Sequence, residues 1–321
     1  MNFISRVLLF SIFALVGRAG FAQELIDSCI VDVSLAVLDV SKSSNSPTTN
    51  STNYIQKISP VSLPKTISFA GENVPIDRPD VREALQHELT VNTYRHSNTI
   101  KILKSIDRWR PFVLAVLKEQ NVPEDFIYLA IIESEFDNNA RSAVGAMGMW
   151  QLMEQTAKEL QLPVNEDVDM RRDPKKATEA ASKFLKQANG NFNNWINAAA
   201  SYNVGITGMK SRLQDQKANS FFDLYLNQET ARYVYRILAL KLIVENPEAY
   251  GYFIPKEEKY EPFKFSTVTV TENIPNLVDF AKQNNTTYKE LRLLNPWFNN
   301  TTTFALKVPK GESYELRIPM K

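Results

Sequence analysis

Residues 126–156 read FIYLAIIESEFDNNARSAVGAMGMWQLMEQT. An apolar run ends in the acids Glu133 and Glu135, and a glycine-containing turn that carries Gln151 follows. Six of the eight residues from 126 to 133 are aliphatic or aromatic and a seventh is Ala130, so the run predicts a buried helix with a carboxyl group at its end. Taking an ionised carboxylate out of water there is costly, so the pKa of such an acid is expected to rise and the group to stay protonated near neutral pH, as a general acid must. Spacing does not choose between the two acids. Glu133 has Leu129 and Ala130 four and three residues back, and Glu135 has Ile131 and Ile132. The competing reading is an ordinary helix-end acid, solvated or paired with Arg141.

Composition narrows the chemistry available. The chain has 321 residues, 44% of them hydrophobic, enough to bury a sizeable core and to hold more than one folding unit. Lys plus Arg number 37 against 36 for Asp plus Glu, and a net charge of +1 gives no field to gather nucleic acid. Cys29 is the only cysteine, so an intrachain disulfide is excluded. His87 and His96 are the only histidines, which leaves little for a histidine metal site or a Ser-His-Asp triad, and no metal or other cofactor is expected. Carboxylate chemistry remains.

Along the chain, residues 1–22 read as a secretory signal: Arg6 is the positive flank, Val7 to Val16 a short apolar stretch, and Gly20-Phe21-Ala22 the small-residue cleavage region. Residues 23–68 read as a tether, with the polar run SKSSNSPTTNSTN at 41–53 unable to fold alone. From Asp80 the pattern is helical, with Val81, Leu85 and Leu89 four apart. Pro123 is expected at the first position of the helix bearing Glu133, Gly190 to end a helix through Ala181 and Leu185, and Gly205 and Gly208 to break another that starts at Trp195. Residues 69–257 form the first unit. After the charged linker at 256–259, residues 262–319 predict strand, helix, helix and strand, with β-branched Thr267 to Val270 opening the unit and Tyr314 to Ile318 closing it.

Four elements in order resemble the catalytic core of the lytic transglycosylases, lysozyme-like enzymes that cut bacterial peptidoglycan. They are Glu133-Ser134; Ser142-Ala143-Val144-Gly145-Ala146; Gly148-Met149-Trp150-Gln151; and Tyr202-Asn203 with Glu229-Thr230 and Tyr233-Val234. Trp150, with Asp169 to Pro174, is most similar to the membrane-bound D type, while Ser201 and Met170 depart from the usual pattern at positions without an assigned catalytic role. The C-terminal unit resembles a LysM module, which binds the glycan backbone of peptidoglycan. A small domain docked on the catalytic core is the alternative reading of that unit.

The resemblance implies a mainly α, lysozyme-like (α+β) catalytic domain followed by a small βααβ domain. It selects Glu133 as the catalytic acid and leaves Glu135 as a surface or structural residue. It further implies that Ser142, Gln151 and Met153 line sugar subsites, that Tyr202 sits across from Glu133, and that Asn203 helps hold the site. Tyr233 and Glu229 fall in the matched helix with a structural role equally open, and Trp150 is read either as a sugar platform or as core. Glycosidases normally pair two carboxylates, and no partner for Glu133 is evident: Asp137 lies where the helix ends, and Asp167, Asp169 and Asp173 fall in a loop. A transglycosylase escapes that need because the C6 hydroxyl of N-acetylmuramic acid attacks instead of water. The expected partner is therefore the peptidoglycan glycan strand, in the periplasm or cell envelope of a bacterium, with peripheral association to the wall. A hydrolytic muramidase of goose-lysozyme type and a non-catalytic wall-binding protein are the alternatives.

Overall fold

The computed structural model describes residues 59–320, which lie in one compact unit; the expected signal at 1–22 and the tether as far as residue 58 fall outside them. The described chain is mainly helical, with a small antiparallel sheet at each end. A short hairpin, β1 (Ser68–Phe69) and β2 (Glu72–Asn73), precedes α1 (Pro79–Tyr94) and α2 (His96–Glu119). A turn at Glu124–Phe126 leads into α3 (Ile127–Ser134), and α4 (Glu154–Glu159) follows the glycine-containing loop. Then come α5 (Pro174–Phe192), α6 (Trp195–Val204), α7 (Ile206–Asp215) and α8 (Gln228–Glu245). The last unit is β3 (Phe265–Val270), α9 (Leu277–Gln283), α10 (Tyr288–Leu294) and β4 (Tyr314–Pro319), with β3 and β4 paired from Phe265–Pro319 to Val270–Tyr314. Strand, helix, helix and strand is the order its sequence predicts.

Helix α3 is the centre of the core. Ile127, Tyr128, Leu129, Ala130 and Ile131 are all buried, and α8 packs along both α3 and α1. Full burial of a Leu or Ile side chain contributes about 1.5–3 kcal/mol, so this short helix is fixed by packing rather than by its own propensity. Its start is pinned by aromatic edges: the Phe126 ring lies 5.2 Å from Phe69 and 5.4 Å from Trp195. The amino end of α6 is capped twice, by Asn194, which accepts from the Asn197 amide, and by Glu72, which accepts from the Trp195 and Ile196 amides.

Several boundaries differ from the sequence reading. The tether ends before residue 68: Ile67 is 4% exposed, Val61 and Leu63 pack on the core, and the Tyr94 hydroxyl bonds Ser59. A few apolar side chains suffice to anchor a segment whose preceding composition is polar. Pro123 is the residue that caps the turn at Glu124–Phe126 rather than the first helical position. Gly190 lies inside α5, which runs on to Asn193 in left-handed conformation, and Gly208 lies inside α7; only Gly205 marks a break. Glycine lowers helix propensity by about 1 kcal/mol, less than the packing of a buried helix face supplies.

The C-terminal unit packs on the helical core. Tyr260 donates its amide to the Lys104 carbonyl, Lys104 pairs with Glu258 and Lys259 with Asp107, so the charged segment is stapled to α2. Beyond it, the Asp169 amide donates to the Trp297 carbonyl, the Asn299 amide to the Asp167 carbonyl, and Arg317 forks onto Asp173 at 2.7 and 3.2 Å. Asp173 is 3% exposed and also caps α5 by accepting from the Lys175 and Lys176 amides. Removing one partner of a buried pair strands the other charge, at a cost of about 3–5 kcal/mol. Arg317→Ala is therefore expected to lower the unfolding midpoint of the whole chain. A melting curve unchanged from wild type would show that the docking contributes nothing to stability.

Candidate active site

Glu133 occupies the last turn of α3 and is half-buried. Burial pushes its pKa up to about 7; the Tyr233 hydroxyl, which donates to Oε1, and the charge of Arg236 oppose that rise, and Glu229 adds slightly to it. The acid is thus set near neutrality mainly by desolvation. Glu135 is built differently. It sits past the helix end at φ 54°, where its carboxylate accepts from Asn98 Nδ2 at 2.5 Å and pairs with Lys101 at 3.1 Å.

The loop after α3 is fastened on three sides. From below, the Ser134 hydroxyl donates to the Met149 carbonyl at 2.7 Å, which ties the Glu-Ser pair to the turn it faces. From α6, the Tyr202 hydroxyl donates to the Trp150 carbonyl at 2.8 Å. Beyond the loop, Arg171 reaches the carbonyls of Gly145 at 3.1 Å and Leu152 at 3.3 Å, its guanidinium locked on Asp169, with both side chains 6% exposed. Within the loop, Ser142 Oγ accepts from the Ala146 amide, and Gln151, at φ 46°, donates from Nε2 to the carbonyls of Ala140 and Gly148. Gly148, at φ 80°, presses on the backbone of this brace: a Cβ there would lie 2.0 Å from the Arg171 carbonyl oxygen.

Of the residues implied to line the site, Met153 is 42% exposed beside the loop and is free to meet a ligand. Ser142 and Gln151 spend the hydrogen bonds just described on the loop, and Asn203 accepts from the Thr230 hydroxyl, joining α6 to α8. Tyr202 does not bond Glu133; burial and, after it, the Glu133 charge hold its phenol well above the usual range, so it lies within electrostatic reach of the acid while bonding Trp150. The direct partner is Tyr233, whose phenol is raised by the same causes and stays a donor. Trp150 is fully buried with Nε1 on the Thr178 hydroxyl at 2.9 Å, which makes it core and removes the platform reading. The Ser201 hydroxyl, at the departure from the family pattern, donates to the Ala198 carbonyl.

The sequence reading left Tyr233 open and gave no place to Arg236, which acts on the Glu133 charge. Tyr233 and Arg236 lie on one face of α8, three residues apart, a spacing that could have grouped them. Val144, 75% exposed, stands at the loop tip. Of the four acids considered as partners of Glu133, three have side chains engaged elsewhere, Asp169 with Arg171, Asp173 with Arg317, and Asp137 with the Asn139 amide, while Asp167 joins the C-terminal unit through its backbone carbonyl, which accepts from the Asn299 amide. His87 and His96 are exposed, and the described residues hold no grouping of His, Cys, Asp and Glu suited to a metal ion.

Residues 112–224 match the transglycosylase SLT domain, and residues 266–321 match the soluble lytic transglycosylase C-terminal LysM-like domain. Membrane-bound lytic murein transglycosylase D of Escherichia coli K12 is 27% identical over 263 residues, covering 78% of this chain and 57% of that protein; its counterpart in E. coli O6:H1 gives the same figures. A putative tributyltin chloride resistance protein of Alteromonas sp. strain M-1 is 30% identical over 95 residues, which cover 29% of this chain and 46% of that protein. The chain thus spans little more than half the length of the E. coli relatives. Among solved structures, lytic transglycosylase Slt of Pseudomonas aeruginosa overlaps 48% of this chain and 26% of its own, at 24% identity and a TM-score of 0.37. The 70 kDa soluble lytic transglycosylase of E. coli overlaps 42% and 24%, at 23% identity and a TM-score of 0.36. The ordered motifs and the two domain matches, independent of those partial overlaps, give this chain an SLT lytic transglycosylase domain followed by a LysM-like domain, with a distant similarity to membrane-bound lytic murein transglycosylase D.

Proposed function

We propose that the chain is a peptidoglycan lytic transglycosylase that cleaves the β-1,4 bond between N-acetylmuramic acid and N-acetylglucosamine, with Glu133 as its single acid and base. The observation that carries this reading is a half-buried carboxyl poised at about 7, while Asp137, Asp169 and Asp173 are all bound elsewhere. Protonated Glu133 donates to the glycosidic oxygen as the bond to C1 breaks. The resulting carboxylate accepts the proton of the C6 hydroxyl as its oxygen closes on C1, which returns the acid to its starting state and yields the 1,6-anhydro sugar. The loop that Ser134, Tyr202 and Arg171 hold against α3 forms the wall of the cleft, with Met153 and Val144 as its apolar contacts. We take 69–257, with residues 59–68 packed against it, as the catalytic domain and 262–319 as the LysM-like domain, and the cell envelope as the place of action. No helix among the described residues is long and apolar enough to cross a membrane.

Mass spectrometry of the products from purified sacculi tests the reaction. Anhydro ends, lighter by one water than reducing ends, are expected; reducing ends alone would make the chain a hydrolytic muramidase. The acid's titration gives a second test. Glu133 must be protonated to start the reaction, so kcat/KM falls as pH rises through about 7. The Tyr233 hydroxyl stabilises the carboxylate, so Tyr233→Phe is expected to move that fall to higher pH. An unshifted pH profile would deny Tyr233 this role.

A further inference from the structure

We propose that the C-terminal LysM-like unit is a positioning part of the active site: Trp297, Asn299 and Arg317 hold the strip at 167–173, and that strip in turn holds the loop that faces Glu133. The proposal rests on the transglycosylase reading above and goes beyond it by giving a unit expected to bind wall glycan a second task, in the geometry of the reaction. The strip is shared residue by residue. The Asp167 carbonyl accepts from the Asn299 amide at 2.8 Å, Val168 bridges Phe298 in antiparallel fashion, and the Asp169 amide donates to the Trp297 carbonyl at 2.9 Å. Just before the strip, Asn299 Nδ2 donates to the Asn165 carbonyl at 2.8 Å, and at its far end Arg317 forks onto Asp173. Between these anchors the same residues reach the loop. Asp169 locks the Arg171 guanidinium at 2.7 and 2.9 Å, Arg171 donates to the Gly145 and Leu152 carbonyls, and Arg172 donates to Asn139 in the turn after α3.

Apart from the bridge of Val164 to Asp169, the strip's only strand pairing among the described residues is with the C-terminal unit. Val168, Asp169 and Arg171 are buried, and a buried backbone group left without a partner is costly, so releasing that unit frees the strip and loosens the hold of Arg171 on the loop. The loop reaches Glu133 by two routes: Ser134, next to the acid, donates to the Met149 carbonyl, and Tyr202, within the acid's field, donates to the Trp150 carbonyl. A loosened loop admits water to the acid. Burial is what raises Glu133, and the groups acting on its charge are Tyr233, Arg236 and Glu229 of α8, with Tyr202 of α6 facing it. None belongs to the C-terminal unit. A substitution there therefore acts on the acid through the strip and the loop.

The full chain carrying Asn299→Ala and Arg317→Ala together is compared with wild type by hydrogen exchange at the amides of Met147, Gly148 and Leu152, which bond the carbonyls of Leu152, Ala140 and Met147. Loss of a buried charge-assisted pair shifts local opening by about tenfold or more, so exchange there is expected to rise at least about tenfold. The control is Ile67→Ala, outside the strip, the loop and the C-terminal unit, with each protein measured equally far below its own melting point. The second readout is the pH dependence of kcat/KM on short soluble glycan strands. With Glu133 better hydrated, the fall of kcat/KM with rising pH should move below about 7. A chain that only loses stability, as the control does, keeps the wild-type midpoint. Arg317→Lys, which keeps the charge, should recover part of both effects, and Asn299→Ala alone, at an exposed position, should show them at smaller size. Loop exchange that rises no more than in the control, or a midpoint that stays at the wild-type value, would overturn the proposal. Failure of the transglycosylase reading would appear separately, in the products of the wild-type protein on sacculi, and leaves the exchange measurement untouched.

Discussion

Glu133→Gln is expected to reduce turnover of sacculi by about 10³-fold or more, the upper part of the range for loss of a general acid, while the protein stays folded. The amide keeps the shape of the side chain and removes the transferable proton. The same substitution predicts a gain in stability with a definite sign. Glu133 titrates near 4.5 in the unfolded chain and near 7 in the fold, so between those values the folded state binds more protons. Stability tied to this group is full below about 4.5 and is lost as pH rises through about 7. The variant should therefore melt above wild type at pH 8 and show no such advantage at pH 4. Glu135→Gln, which loses only the contacts with Asn98 and Lys101, should retain most activity. A dead Glu135 variant beside an active Glu133 variant would show that the acid has been misassigned.

Gly148→Ala is expected to cost about 3–5 kcal/mol and most of the activity, an effect at the upper end for a single methyl group. The added Cβ would stand 2.0 Å from the Arg171 carbonyl oxygen, at a φ of 80° that L side chains avoid. Nor can Arg171 retreat, because its guanidinium is held by buried Asp169 and by the carbonyls of Gly145 and Leu152. Either the loop or the brace must shift, and both position the wall facing Glu133. Gly145→Ala is the control. It shares a positive φ of 87° but meets no atom within 4 Å, so about 1–2 kcal/mol of backbone strain is all it should add. Thermal melts and rates for the two variants separate the contributions; equal effects would mean that the contact with Arg171 is unimportant.

What the residues by themselves determined is the helical frame and the existence of an acid at the end of a buried segment. The four-residue spacing of Val81, Leu85 and Leu89 and the apolar run from 126 to 132 are local signals, because a helix face that must leave water is written into a few neighbouring positions. The choice of Glu133 over Glu135 came from motif order, since both acids have the same kind of neighbours. Tertiary structure decided the rest. The phenol that touches the acid comes from Tyr233, a hundred residues away, while Tyr202 is spent on the Trp150 carbonyl. Trp150 is core because Thr178 meets its indole. The C-terminal unit packs on the core because Arg317 finds Asp173. Each of these depends on which distant side chain arrives at a given atom. That is fixed by the packing of whole helices, which local periodicity does not encode.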